Sequence, residues 1–310
     1  MITFKQMLYF DALARRLHFG QAAAEVHVSQ PALSTQIAEL ENRLDCKLVE
    51  RTRGAVVLTD AGRRFLPAFR RILDEVRSIE EQARQVGGLL QGPLTLGMIP
   101  TLAPYLLPAL APEIGRRYPS LELRVRETIT DTLIEQLQTG GIDAAIAALP
   151  ITERWLGHIP LFTDRFFLVA GASDPVGRDA PLAPRGAGFD RLLLLEEGHC
   201  LRDQALALCD GGAASALVNF GATSLTTLLQ MVANGMGRTL VPEIAIPAEA
   251  AERSDIRVVA FAAPAPQREI ALLYRKGSHR QADFNVLAEL CRTTAKSLLA
   301  QSRRMVARAS

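Results

Sequence analysis

The sequence predicts an α/β protein in three parts: a small N-terminal module of three helices and a β-hairpin, one long helix, and a larger region of two α/β subdomains. Three observations carry this. Apolar residues recur at helical spacing over the first 44 positions, a seven-residue repeat follows, and from Pro93 onward strand-like and helix-like segments alternate. At 310 residues the chain exceeds one ordinary core, so two or three compact domains are expected. A content of 48% hydrophobic and 22% charged residues is globular, and no window supplies the uncharged apolar run of a bilayer span. The opening MITFKQMLYFDALARR lacks the apolar core and cleavage site of a signal peptide, so a cytoplasmic location without membrane contact is expected.

In the first helix, Met7, Phe10, Leu13 and Leu17 form one apolar stripe. Gln21 to Val26 make a second short helix, in which Ala22, Ala23 and Ala24 permit close approach, and His27 and Val28 form a tight connection. Ser29 reads as an N-cap, with Pro31 in the first turn and Leu33, Ile37, Leu40 and Leu44 facing inward. Arg51 to Thr59 alternate around a glycine turn and predict a β-wing.

From Thr59, the residues Phe65, Phe69, Ile72, Val76, Ile79, Ala83 and Val86 alternate spacings of four and three, which predicts a coiled-coil seam. Pro67 should bend that helix near its start, Gly87-Gly88 should stop it, and Gln91-Gly92-Pro93 reads as a hinge. Beyond lie strands at Leu94 to Ile99, Leu121 to Arg126 and Ile142 to Leu149, with helices at Tyr105 to Arg117 and Thr132 to Gln138. A second set has strands near Phe166 to Ala170, Leu192 to Leu195, Val218 to Ala222 and Thr239 to Val241, with helices near Leu201 to Cys209 and Leu225 to Ala233. A strand at Glu269 to Arg275 and a helix at Asp283 to Leu299 close the chain, and the alternation predicts a parallel sheet. The expected boundaries are 1–58, 59–90 and 91–310, the last dividing into 91–163 plus 267–310 and 164–266.

Net charge is only +2, but residues 1 to 71 hold 11 Lys and Arg against 7 Asp and Glu, a local balance of +4 that leaves the rest at −2. A weakly basic module of this shape suits nucleic acid. A helix-turn-helix lays its second helix in the major groove, with polar groups at the exposed N-terminal end. Ser29, Gln30, Pro31, Ser34, Thr35 and Gln36 occupy that end here, and Arg51 and Arg53 on the wing could track phosphate. The pattern alone also fits any three-helix bundle with a capped third helix.

The stretch Phe19 to Leu66, FGQAAAEVHVSQPALSTQIAELENRLDCKLVERTRGAVVLTDAGRRFL, closely resembles the winged helix-turn-helix of LysR-type regulators. Ala22-Ala23, Val28 to Ser34, Ile37 to Leu44, Leu48 to Arg51 and Leu58 to Gly62 carry the family's elements in order. The resemblance implies a winged domain on promoter DNA, a linker helix that pairs subunits, a periplasmic-binding-protein-like effector domain, and a tetramer made from dimers.

Four cysteines, Cys46, Cys200, Cys209 and Cys291, in a reducing compartment argue against a structural disulfide framework. Cys200 should start a helix, with His199 before it and Arg202 after it, and helix dipole and cationic charge both favour the thiolate that reacts with peroxide. Glu196 and Glu197 oppose this. Cys209 lies nine residues on. On one unbroken helix the two α-carbons would stand roughly 13 Å apart at about 1.5 Å per residue, whereas a disulfide tolerates no more than about 7 Å. Bridging them would then require the helix to unwind or relocate. The pattern alone equally fits two cysteines packed at opposite ends of a helix.

GHCLRDQAL with its trailing cysteine resembles the sensor segment of OxyR-type peroxide regulators. So do Gly92 to Pro108, the ATSL of Ala222 to Leu225 and the LLYR of Leu272 to Arg275. The resemblance implies that Cys200 is the peroxidatic cysteine and Cys209 the resolving one. It places Thr101, Thr130, His199, Asp203 and Arg268 around the peroxide. It also implies a non-enzymatic regulator of oxidative-stress genes, with hydrogen peroxide, RNA polymerase and a cellular dithiol reductant as partners and no cofactor. Thr101 could instead cap a helix, and Arg268 could be a solvated strand-end charge. Cys46 and Cys291 read as structural, and the five histidines are too scattered for a metal site. Two other functions remain compatible: a regulator whose effector is a small organic anion, and a thiol peroxidase.

Overall fold

The computed structural model describes residues 1–310 except 53–54, 85–87, 178–179, 184–190, 209–217, 252 and 310. The chain divides into two compact units, Met1–Val86 and Gly87–Ser310. Among the described residues no helix is long and apolar enough to cross a membrane.

The first unit is a winged three-helix module. Helix α1 (Phe4–Arg16) opens on a capping box, in which the Thr3 side chain accepts from the Gln6 amide and the Gln6 side chain accepts from the Thr3 amide. It ends at Leu17, whose left-handed backbone and 44% exposure take it off the predicted stripe. Helices α2 (Phe19–Glu25) and α3 (Gln30–Leu44) follow, the latter capped by Ser29. Phe10, Leu13, Ala22, Leu33, Ile37, Leu40 and Leu48 are buried together. The wing is the antiparallel pair β1 (Val49–Thr52) and β2 (Ala55–Leu58). Glu41 fixes it to α3: this buried carboxylate accepts from the Leu48 and Val49 amides at 2.9 and 3.2 Å and from Lys47 Nζ at 2.8 Å.

Helix α4 (Asp60–Arg84) starts one residue after Thr59, whose hydroxyl accepts from the Gly62 amide. A Cβ on Gly62 would sit 2.2 Å from the Leu48 carbonyl oxygen, so only glycine allows the helix to lie this close to the wing. The predicted seam divides here. Phe69 is buried with Leu73 in the core of the winged unit, and its ring meets Phe10 edge-to-face at 5.8 Å and stacks on Phe65. Arg70 pairs with the buried Asp11 at 2.8 Å, which holds this part of α4 on α1. Ile72 and Ile79 remain exposed, and Val86 lies outside the described residues. Among the described residues, Ile72 and Ile79 are therefore the seam positions left to meet another helix.

In the second unit, β3 (Gly92–Met98), β4 (Leu121–Glu127) and β5 (Ala144–Ala148) are parallel and joined by α5 (Ala103–Arg117) and α6 (Thr130–Gln138). The rest departs from the expected parallel sheet. The 16-residue β6 (Leu156–Gly171) pairs antiparallel first with β11 (Gln267–Arg275), then with β9 (Thr239–Pro242) and β10 (Ile256–Val259). The sheet order is β10-β6-β11-β5-β3-β4, with β9 also on β6. Strand β11 returns from far along the sequence and runs against β5, so no crossover helix is needed between them. A small parallel pair, β7 (Leu193–Leu195) and β8 (Val218–Ala222), sits with α7 (Cys200–Leu206), α8 (Leu225–Ala233) and α9 (Ile246–Glu249). Helix α10 (Gln281–Ala309) ends the chain and packs on α5, β6 and α9.

Candidate functional site

The site forms where β3 ends and α6 and α7 begin, just past the carboxyl ends of parallel strands, where open α/β sheets leave a crevice. Residues 196–199 link β7 to α7, and Gly198 there has φ of +89°. That backbone conformation favours glycine, and a Cβ on Gly198 would also come within 2.8 Å of Ile129 Cδ1, so this side chain would have to shift. Leu201 and Ala205 are buried, and Arg202 Nη1 donates to the Leu195 carbonyl at 3.0 Å. These contacts fix Cys200 as the first residue of α7, half-buried.

Ile99, Pro100, Thr101, Ile129, Thr130, Gly198, His199 and Cys200 line one crevice that leaves no room for a free water-sized body. Four of the sequence-predicted site residues thus meet. Among the described residues, Thr130 Oγ1 and His199 Nδ1 are buried and have no hydrogen-bond partner, a costly arrangement for polar atoms. Asp203 lies outside the crevice and lines an adjoining cavity of about 290 Å3 with Thr130, Gln204 and Cys200.

Arg268 is neither solvated nor on the crevice wall. It is 2% exposed and donates to Thr101 Oγ1 at 2.8 Å, to the Thr101 carbonyl at 3.1 Å, and through Nε and Nη2 to Asp164 Oδ2 at 3.0 and 2.9 Å. Its guanidinium also lies 5.8 Å from the centre of the Phe166 ring. Asp164 Oδ1 accepts from the Ile244 amide at 3.1 Å, and burial raises the pKa of this carboxyl against the opposing pull of Arg268. Arg268 therefore reaches the crevice only through Thr101. Sequence reasoning missed Asp164; the available signal was an Asp two residues before the apolar run Phe166 to Ala170.

Two expectations about the thiol change. Burial lowers the pKa of His199, against the opposing pull of Glu196, so near neutral pH its imidazole is uncharged and adds no cation beside Cys200. Helix α7 stops at Leu206, with its last turn tightened by a Leu208 to Ala205 bond, so it does not run on to Cys209. Cys209 lies outside the described residues, and the spacing argument for forced unwinding loses its premise. Cys291 is fully buried with its pKa pushed up to about 12, and Cys46 is half-buried in the winged unit.

At the N-terminal end of α3, Ser29, Gln30, Pro31 and Thr35 are exposed, while Ser34 and Gln36 are half-buried. The Thr35 hydroxyl donates to the Pro31 carbonyl, and Gln36 Nε2 donates to Glu39. Arg51 belongs to β1, and Arg53 lies outside the described residues.

A capped helix with a polar exposed end and a wing, followed by an α/β unit with a crevice at its strand ends, is the layout of a ligand-responsive DNA-binding protein. Residues 4–63 match the bacterial regulatory helix-turn-helix protein model of the lysR family, and residues 87–296 match the LysR substrate binding domain. The chain belongs to the LysR family.

Within that family it is 40% identical over 94% of its length, and 96% of the relative's, to the hydrogen peroxide-inducible genes activator of Pectobacterium carotovorum subsp. carotovorum. It is 39% identical, over 94% and 95%, to the DNA-binding transcriptional dual regulator OxyR of Escherichia coli (strain K12). Among solved structures, it resembles full-length OxyR from Pseudomonas aeruginosa carrying a cysteine-to-aspartate substitution, with TM-score 0.80, 34% identity, and coverage of 94% of this chain and 95% of that one. A hydrogen peroxide-bound cysteine-to-serine mutant of Corynebacterium glutamicum OxyR aligns with TM-score 0.67, 35% identity and coverage of 98% and 96%.

Proposed function

We propose that this chain is a DNA-binding transcriptional regulator that senses hydrogen peroxide through reversible Cys200–Cys209 disulfide formation and controls oxidative-stress genes. One observation carries the reading: a half-buried thiol shares its crevice with two buried polar atoms, Thr130 Oγ1 and His199 Nδ1, that lack partners. Hydrogen peroxide donates and accepts hydrogen bonds at both oxygens, and is small enough to reach such a place with a slight opening of the walls. The relatives named above, similar over nearly their whole length, support the choice of oxidant.

The chemistry runs in two steps. The Cys200 thiolate attacks one peroxide oxygen, the O–O bond breaks, and the departing hydroxide takes a proton and leaves as water; sulfur is oxidised to sulfenic acid. Thr101, Thr130 and neutral His199 orient the peroxide, and Arg268 acts through Thr101 by holding its hydroxyl in place. The Cys209 thiolate then attacks the sulfenic sulfur, an S–S bond forms and a second water leaves. A cellular dithiol reverses the cycle. Asp203, beside Cys200 on the adjoining cavity, takes part in positioning. Stoichiometric oxidation without rapid turnover on a dithiol is the outcome expected of a sensor, and rapid turnover would mark a thiol peroxidase.

The output is on promoter DNA, read by Ser29, Gln30, Pro31, Ser34, Thr35 and Gln36 with phosphate contacts from Arg51 and Arg53. Exposed Ile72 and Ile79, with half-buried Val76 between them, pair α4 with a second copy in a tetramer of two dimers, and the bound assembly contacts RNA polymerase in the cytoplasm. The halves 91–163 plus 267–310 and 164–266 shift relative to each other at β6 when the bridge forms. Footprinting on the protein's own promoter tests this. The protected region is expected to change after stoichiometric peroxide and to return with a dithiol, and Cys200→Ser should remove the change. A footprint that responds to a small organic anion and ignores peroxide would overturn the reading.

A further inference from the structure

The cavity of about 290 Å3 beside Cys200 is walled by the start of α6, by residues 148–153 and by α7. Thr130 and Gln204 line it as well, and among the described residues the buried Thr130 Oγ1 and Gln204 Oε1 have no hydrogen-bond partner. Asp131, Glu153 and Asp203 also line it, and no Lys or Arg does among the described residues. Arg202, the nearest cation along α7, is turned to the Leu195 carbonyl.

We propose that this cavity is the route by which reagents reach the Cys200 thiol, and that its carboxylates admit uncharged and cationic reagents while repelling anions. Asp131, Glu153 and Asp203 thereby set specificity. The inference rests on Cys200 as the reactive thiol, but it needs only that the thiol be reached, whatever the oxidant.

A recess lined by one sign of charge, with low-dielectric walls, focuses its field on whatever enters. Three carboxylates several ångströms from a monoanion lower its local concentration on the order of tenfold at low ionic strength, and salt screens the effect. Hydrogen peroxide, uncharged near neutrality, is unaffected. Carboxylate-bearing peroxides and anionic thiols are excluded. A protein reductant must present a neutral or basic surface around its own thiols.

Alkylation of the reduced full-length protein by uncharged iodoacetamide and anionic iodoacetate tests the proposal, with the Cys200 peptide quantified by mass spectrometry. The iodoacetate-to-iodoacetamide rate ratio should lie on the order of tenfold below that of the same peptide in the urea-unfolded chain. High salt should close the gap, and Asp131→Asn with Glu153→Gln should raise the ratio severalfold. A ratio equal to that of the unfolded chain overturns the proposal. So does a depressed ratio that neither salt nor the double variant moves, and so does a thiol that neither reagent reaches. Peroxide oxidation alongside a flat ratio defeats the filter alone, whereas a depressed ratio without peroxide response defeats the peroxide reading alone.

Discussion

Two polar clusters meet at Thr101 and are built on opposite rules. On one side Arg268, Asp164, the Thr101 hydroxyl and the Ile244 amide satisfy one another in full burial. On the other, Thr130 Oγ1, His199 Nδ1 and Gln204 Oε1 are buried around Cys200 with no partner among the described residues. Saturated polar groups hold a structure in place, whereas unsaturated ones keep a capacity to bind. The first cluster is the scaffold, and the second keeps unused hydrogen-bonding capacity.

The contrast extends to the thiols and gives the largest expected effect. Cys291, with its pKa pushed up to about 12, keeps only ~1 part in 100,000 as thiolate near pH 7, while Cys200 is half-buried on a cavity wall. Timed iodoacetamide labelling should modify Cys200 in the native protein and Cys291 only after unfolding. Equal labelling would erase the distinction.

Breaking the saturated cluster comes next. Arg268→Met leaves Asp164 as an uncompensated buried carboxylate and should cost about 3–5 kcal/mol in urea unfolding of the Gly87–Ser310 unit, and adding Asp164→Leu should recover much of that loss. The same substitution at two threonines should then give different results. Thr101→Val leaves an Arg268 donor unpaired and should cost about 1–3 kcal/mol, whereas Thr130→Val removes no existing hydrogen bond and should change stability by less than about 0.5 kcal/mol while slowing peroxide oxidation of Cys200. Equal losses of stability would mean that the clusters do not differ as described.

The smallest effect is a slope with pH. Burial lowers the His199 pKa below its ordinary 6.5, so the unfolded chain binds a proton there more readily than the folded one. The contribution is nil well above pH 6.5, and stability falls as pH drops from about 6.5 through the depressed folded value. Urea midpoints at stepped pH should show the decline in the wild type and a flatter profile in His199→Gln.

Much of this contrast could be read from the residues, because its parts are local in sequence. The capped helix from Ser29, the wing and the convergence of Gly198, His199 and Cys200 at a helix start depend on neighbours a few positions apart. The saturated cluster could not be read that way. Arg268 and Asp164 are 104 positions apart and meet only because β11 pairs with β6 in one register. Phe65 and Phe69 fit a heptad seam by spacing, but spacing does not say which partner fills it, and here Phe10 of the same unit does. Periodicity also carried α7 past its end, since Leu206 and Leu208 continue a helical pattern that the backbone abandons at Ala207.

The central claim is that the unsaturated crevice makes Cys200 the peroxide thiol, with Cys209 as its partner. Its most direct test is peptide mapping of the reduced full-length protein after one equivalent of hydrogen peroxide, without added reductant. A Cys200–Cys209 disulfide, formed in step with loss of the free Cys200 thiol and absent in Cys200→Ser, is the expected result. A Cys200 that stays reduced while the protein still changes its promoter footprint would contradict it.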